Sequence, residues 1–391
     1  MRRLTQSPLL REILRPFGQV FVFVGISAVS ISTSLISLAF VMRNSYANEV
    51  LVANTGQNLP AYVITNLPQV LVDGITVGFV YAAIALGYSM VYGVLEFINF
   101  AHSEIFAIGA FVGVEILILF DNIGLLAEAS IGESYLFLFL AIMAGMALAG
   151  LAAMSVERVA YRPLRGAPRL VPLISAIGVS FFLADAIRLT ESVTTGQFYR
   201  VFPTFGNFDE LIELARLNIF GIPFNLVIQV KSIVVIVAAL LMMVGLSTFV
   251  NASRTGKAIR AVAQDRPTAS LMGIDVNRII AITFLVGGAL GGAAGVLFAL
   301  KFTRIDPFVG FFPGLKAFTA AVLGGIGNLV GALLGGIVLG MLETAAGAYL
   351  SAFTAGAFGA EYKDIFAFAI LILVLIVRPS GLLGEQVGQK A

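Results

Sequence analysis

Long apolar stretches nearly free of charge recur down this chain, and each has the length of a bilayer crossing, for which about 20 helical residues suffice. They cover residues 17–42, 68–92, 98–120, 135–156, 171–189, 226–250 and 279–300, then run through a broken pair to a last stretch, 365–377. Backbone amides and carbonyls left unpaired against lipid are costly, so segments of this kind must pair their own backbone as helices. Composition agrees, with 59% hydrophobic residues and only 12% charged among 391, where a soluble domain carries about 25%. The fold class predicted is an all-α polytopic membrane protein with about eight full transmembrane helices plus a glycine-broken re-entrant hairpin.

Charge placement orients the spans. Arg2, Arg3, Arg11 and Arg15 precede the first stretch, and the positive-inside rule puts them in the cytoplasm. A cleaved signal peptide is the rival reading, because Ser45-Tyr46-Ala47 resembles a small-residue cleavage site, but the apolar stretch exceeds the usual signal core. Alternation then places Arg158, Arg162, Arg165 and Arg169 in one inner loop and Arg254, Lys257, Arg260, Arg266 and Arg278 in the next. The outer loops carry Asp121, Glu128 and Glu133, and Glu191, Asp209, Glu210 and Glu213. Residues 317–342 are too long for a simple span and are interrupted by Gly324-Gly325-Ile326-Gly327-Asn328. A hairpin dipping in from outside keeps 344–360, which has no Lys or Arg, outside and the tail after Arg378 inside. Irregular backbone at membrane depth must be buried in protein or line a watery cavity, which makes Gly324, Gly325, Gly327 and Asn328 candidates for the substrate pathway.

Several function classes fall away. A net charge of +2 offers no field for nucleic acid, the absence of Cys removes thiolate chemistry, and a single His leaves no metal site or cofactor to expect. No nucleophile elbow or His-Glu-x-x-His motif occurs, and Gly256-Lys257 lacks the first glycine of a phosphate loop, so this chain cannot supply ATP hydrolysis by itself. The inner loop 251–278 instead reads as a basic helix over 255–263, then Asp265, then a helical stretch 268–273. Its mixture of Lys/Arg with Leu271-Met272-Gly273-Ile274 suits either a solvated loop or a docking surface for a cytoplasmic protein.

Glycines repeat at four-residue spacing as Gly287/Gly291/Gly295, Gly288/Gly292, Gly74/Gly78, Gly331/Gly335 and Gly336/Gly340, a pattern of close helix packing. Ser27, Ser30, Ser34 and Ser37 share a helix face, read here as packed on the bundle. Among charges within spans, Asp185 and Arg188 are spaced to neutralise each other, and Lys231 is placed to snorkel outward. Asn99, His102 and Glu104 follow Glu96 where one span ends and the next begins. That junction is either a ligand-binding helix break or a buried cap, and the residues alone do not choose.

The runs Gly74–Gly78 through Tyr81, Ala85–Gly93 and Ile98–Glu104 resemble the permease family of branched-chain amino-acid ABC importers. The likeness continues through Glu157–Arg165, Leu173–Gly178, the loop Gly256–Ile274, Lys316–Gly327, Tyr362-Lys363-Asp364 and Arg378-Pro379-Ser380-Gly381, over residues 66–385. The chain departs from the family's usual pattern at Ser103, commonly Gly, and at Glu96, commonly neutral. The resemblance implies a permease domain over 67–391 preceded by a segment, 1–66, with an extra transmembrane helix and outer loop. It implies a second homologous permease subunit, two cytoplasmic ATPase subunits, an external substrate-binding protein and an amino acid as cargo, in a bacterial inner membrane with the N-terminus cytoplasmic. Arg254, Gly256, Lys257, Arg260, Asp265, Met272, Gly273 and Ile274 would then couple to an ATPase. The rivals are an ion-driven transporter using Glu96, His102, Glu104 and Asp185, a membrane scaffold, and a related permease for urea or short amides.

Overall fold

A computed structural model describes residues 8–95, 97–168, 170–219, 222–325, 327–378 and 381–383. Arg2, Arg3, Glu96, Arg169, Ile326, Pro379 and Ser380 lie outside the described residues. The apolar stretches are helices as predicted: α1 (Pro8–Val41), α2 (Tyr46–Thr55), α3 (Leu59–Leu95), α4 (His102–Asn122), α5 (Ile131–Val156) and α6 (Leu170–Thr194). They continue as α7 (Val230–Ala252), the short α8 (Arg254–Gln264) and α9 (Arg266–Leu271), α10 (Val276–Phe302), α11 (Phe311–Gly324), α12 (Leu329–Phe353) and α13 (Lys363–Val377). Among the described residues, eight helices are long and apolar enough to cross a membrane. The molecule is an all-α polytopic membrane protein.

The two ends of the bundle differ in charge. The loops bearing Arg162, Arg165 and Arg254–Arg278 gather at one end with the last turn of α3, to which Arg266 is tied through a 2.6 Å bond to the Val94 carbonyl. Asp121, Glu133, Asp209 and Glu213 mark the opposite, acidic end.

The core is α3, α10 and α12, and glycine sets its spacing. A Cβ on Gly78 would come 2.5 Å from the Ile337 Cα, and one on Gly340 would overlap the Gly78 backbone, so α3 and α12 touch main chain to main chain. On α10 the two stripes divide the work. Gly287, Gly291 and Gly295 receive α3 and α4, while Gly288 and Gly292 receive Ala153 and Gly145 of α5. The packing reading of the ladders holds. The serine reading does not: Ser30, Ser34 and Ser37 are exposed, and α1 buries Ala39, with Phe23, Val24, Ala28 and Ile31 packed on the core instead. Aliphatic and aromatic side chains fill grooves between helices better than a hydroxyl that must return to its own backbone, as that of Ser34 does to Ser30 at 2.8 Å.

Two features depart from the predicted spans. The stretch that reads as 226–250 is divided: α7 begins at Val230, and before it an antiparallel hairpin pairs β2 (Leu211–Ile219) with β3 (Ile222–Gln229). A second small pairing joins β1 (Arg200–Val201) to β4 (Arg304–Ile305). The broken pair is asymmetric. The 14-residue α11 covers about 21 Å, short of a ~30 Å hydrocarbon core, whereas α12 at 25 residues crosses fully. Its turn lies by Gly93 near the basic end of α3, and the far end of α12 lies by Val63 at the acidic end, where Tyr349 Oη donates to the Val63 carbonyl at 3.3 Å. The chain enters and leaves this pair from the acidic end, as the hairpin reading requires, but the turn reaches the basic end and α12 is itself one of the eight full-length helices, so the pair is not a re-entrant loop. The last helix, α13, is also short at 15 residues.

Candidate functional site

Two helices start inside the bundle, side by side. After α3 ends at Leu95 the chain turns back, and α4 begins with His102 pressed against Gly87 and Gly291, near the middle of α10. A Cβ on Gly87 would stand 2.5 Å from the imidazole. The strand after α10 likewise descends from the acidic end, and α11 begins beside it, with Gly310 against the Glu104 carboxyl and Gly314 against the Ser103 side chain. Neither glycine leaves room for a side chain.

Between the two helix starts and α6 lies a cavity of about 250 Å³. Tyr88, Phe100, Phe181, Phe311 and Phe318 supply rings, Ile177 and Leu315 aliphatic surface, and Ser103 and Ser180 the hydroxyls. Behind the serines sits Glu104, 2% exposed. Its Oε1 lies 3.4 Å from both Ser103 Oγ and Ser180 Oγ, Ser103 also meets the Phe100 carbonyl at 2.6 Å, and Oε2 has no hydrogen-bond partner. Glu104 stands in the first turn of α4 and against the first residues of α11, so two positive helix ends converge on it. The result is an apolar chamber with one carboxyl behind its wall, suited to a small amphipathic guest.

The other junction residues hold the chamber. His102, 1% exposed, packs edge-on to Tyr88 with ring centroids 4.5 Å apart. Asn99 Oδ1 accepts from Tyr161 Oη at 2.7 Å, fixing the turn before α4 to the π-helical segment Glu157–Tyr161. The junction segment singled out in the sequence thus borders the chamber, with Glu104 behind its wall and Asn99 and His102 packed beside it. Among the described residues no hydrogen bond or ion pair links His102, Glu104 and Asp185. Asp185 is exposed and meets Arg188 at 4.0 Å, the pairing predicted for it.

Gly324, Gly325, Gly327 and Asn328 do not line the chamber. Because α11 starts midway, its 14 residues carry this turn to the basic end. There Asn328 Oδ1 caps α12 by accepting from the Gly331 amide at 3.0 Å, while the Leu382 and Leu383 amides satisfy the carbonyls of Leu323 and Gly324 at 2.7 and 3.0 Å. Gly325 and Gly327 take φ of 103° and 87°, conformations open to glycine.

Sequence reasoning missed Ser180 and the start of α11. It also passed over a charge cluster built on the buried Lys316 and Glu343, in which Lys316 Nζ meets Glu343 at 2.9 Å and the half-exposed Asp364 at 2.8 Å, and the half-exposed Lys363 meets Glu343 at 3.2 Å. The signal was present as Lys316 and Glu343 inside apolar helices. Lys231 does not reach freely outward: it is 7% exposed and bonded to Asp209 at 2.7 Å.

The basic end carries the predicted loop as α8 and α9. Ile259, Val262 and Ala269 face the bundle, and Arg254, Lys257 and Arg260 face away. Ser253 caps α8 through the Gly256 amide at 2.8 Å, and Asp265 caps α9 through Thr268 at 3.1 Å. Gly256 has no space for a Cβ against the Phe249 and Val250 carbonyls. Arg260 bonds the Val250 carbonyl at 2.7 Å. After α9, Leu271 and Met272 stand 88% and 79% exposed on a turn closed by Gly273 at φ 82°, and Ile274 returns to the core. Beside them a cleft of about 860 Å³ separates α8–α9 from Glu157 and Arg165.

A helical bundle with two helices broken at mid-depth, an apolar chamber at the break and an exposed helical loop on its basic face defines a polytopic membrane permease. Residues 70–375 match the family described as the permease component of the branched-chain amino acid transport system, and the chain belongs to that family. It is 44% identical over 322 residues to the high-affinity branched-chain amino acid transport system permease protein BraD of Pseudomonas aeruginosa, covering 82% of this chain and 97% of that one. It is 41% identical, with the same coverage, to the protein LivH of Escherichia coli K12. A shorter match, 33% over 97 residues, covers 23% of this chain and 30% of the E. coli ribose import permease protein RbsC. No solved structure matches.

Proposed function

We propose that this chain is the membrane-spanning permease subunit of an ATP-driven importer of branched-chain amino acids, and that the substrate passes the chamber between α4 and α11. The observation that carries the reading is the match along nearly the whole of BraD, joined to a chamber whose rings and methyl groups suit an aliphatic side chain. The basic end is cytoplasmic by the positive-inside rule, in a bacterial inner membrane with the N-terminus inside. The ATPase sits on separate subunits, and the exposed α8–Gly273 segment, with Leu271 and Met272 at its tip, docks there. A second permease, two ATPases and an external binding protein complete the assembly. ATP-driven movement of α8 and α9 reaches the chamber through the Arg266–Val94 link to α3 and shifts the balance between its two openings. An ion-coupled mechanism is disfavoured by the separation of Asp185 from His102 and Glu104.

The test is uptake of radiolabelled leucine, isoleucine, valine and urea in cells lacking only this chain. Wild type restores aliphatic amino-acid uptake. Gly273→Trp, strained at its positive φ but free of contacts within 4 Å, reaches the membrane and restores none. Restoration of urea uptake alone, or uptake that survives ATP depletion, overturns the proposal.

A further inference from the structure

At the acidic end a second cavity, about 190 Å³, lies between α3, the β2–β3 hairpin, α7 and α10. Two opposite charges border it: Asp73 from α3 and Lys301 from the last turn of α10. They do not form a salt bridge with each other. Gln69 Nε2 donates to Asp73 Oδ1 at 3.1 Å, and Lys301 Nζ donates to Ser232 Oγ at 2.9 Å, so each charge is anchored by a neutral side chain on its own side. The other lysine nearby, Lys231, is engaged with Asp209. Gln69 also clasps the hairpin, exchanging bonds of 3.1 Å with both the amide and the carbonyl of Val227, which fixes the cavity's roof to its wall.

An ammonium has three donors and a carboxylate about four acceptor positions. Lys301 spends one donor on Ser232, and Asp73 takes one bond from Gln69. What remains is a carboxylate and an ammonium held apart across a space smaller than the ~300 Å³ lower bound of drug-sized pockets. That is the complement of one molecule bearing both charged groups on a single carbon. We infer that this cavity is an outer binding site for the zwitterionic head group of an α-amino acid, with Lys301 receiving its carboxylate and Asp73 its ammonium. The assignment rests on the importer reading for the cavity's facing the outside. It divides recognition in two: charge is read at the entrance, and the aliphatic side chain is received in the apolar chamber deeper in.

The test is saturation-transfer NMR on the purified permease–ATPase complex in nanodiscs, without binding protein, using L-leucine, isopentylamine (leucine without its carboxylate) and 4-methylpentanoate (leucine without its ammonium). Relative to wild type, Lys301→Met loses about tenfold in affinity for leucine and 4-methylpentanoate but keeps isopentylamine. Asp73→Asn does the reverse, losing leucine and isopentylamine and keeping 4-methylpentanoate. Lys301→Arg and Asp73→Glu recover leucine binding. A merely structural role moves both analogues together in each variant, and that result, or no change in either, overturns the assignment. Control substitution of the exposed Asp185→Asn changes none of the three signals. Since binding is read without transport, failure of leucine uptake by the wild-type complex counts against the importer reading and leaves the cavity assignment to stand or fall on the NMR.

Discussion

Two buried carboxyls in this bundle live in opposite company. Glu343 on α12, 3% exposed, shares a balanced cluster with Lys316, Lys363 and Asp364, two charges of each sign within 3.2 Å links. Glu104 on α4, 2% exposed, has two serines and two helix ends, and no cation bonds it among the described residues. The first arrangement neutralises itself and ties together the two half-length helices, α11 and α13, through α12. The second leaves Glu104 Oε2 unpaired beside a chamber. A charge that costs at least ~2.5–3.5 kcal/mol at mid-membrane is retained either because it is compensated or because it is used. Glu343 is the compensated case.

Breaking the cluster gives the largest effect. Lys316→Met strands Glu343 and Asp364 against one remaining lysine, and costs about 3–5 kcal/mol, read as a lowered thermal midpoint and reduced membrane abundance. The double variant Lys316→Met/Glu343→Leu leaves Lys363 and Asp364 to pair, and recovers most of that loss in a double-mutant cycle. If the double variant is as unstable as the single, the cluster is not a self-contained unit. Glu104→Gln sharpens the contrast from the other side. No cation is orphaned, so abundance and thermal midpoint stay near wild type while leucine uptake falls about tenfold, equivalent to ~1.4 kcal/mol. A variant that unfolds instead makes Glu104 structural. The smallest effect is at Ser180→Ala, which removes one of the two hydroxyls near Glu104 Oε1 and costs ~1 kcal/mol or less, seen as a few-fold change in uptake with unchanged abundance.

How far the sequence could be read follows the same line between local pattern and assembled space. The helices and the glycine ladders were legible because length, hydropathy and four-residue spacing are local properties that packing only confirms. The α8–α9 loop was legible through its basic first helix, the break at Asp265 and its mixed surface, while the Ser253 cap came only with the structure. The β2–β3 hairpin was hidden because Leu226–Gln229 runs into α7 with neither Gly nor Pro at the join, and Lys231 just past it reads as a snorkelling charge within one span. The chamber was half visible. Its α4 side announced itself in Asn99, His102 and Glu104, but Ser180 comes from a helix 76 positions away in sequence, and no spacing rule points there. The serines of α1 show the reverse error, since a shared face says which residues travel together and nothing about which way that face turns.

The main-chain contact between α3 and α12 has a mechanical consequence. With Gly74, Gly78, Gly336 and Gly340 at the seam, few side chains interlock there, so one helix can roll along the other without forcing rotamers through clashes. The seam is a bearing. On one side of it α3 carries Tyr88 into the chamber and Val94 to the loop at the basic end, and on the other α12 carries the Glu343 cluster that anchors both half-helices. Under the proposed coupling, a push on the loop is delivered as rotation of α3 against α12, with the chamber opening as Tyr88 turns with α3.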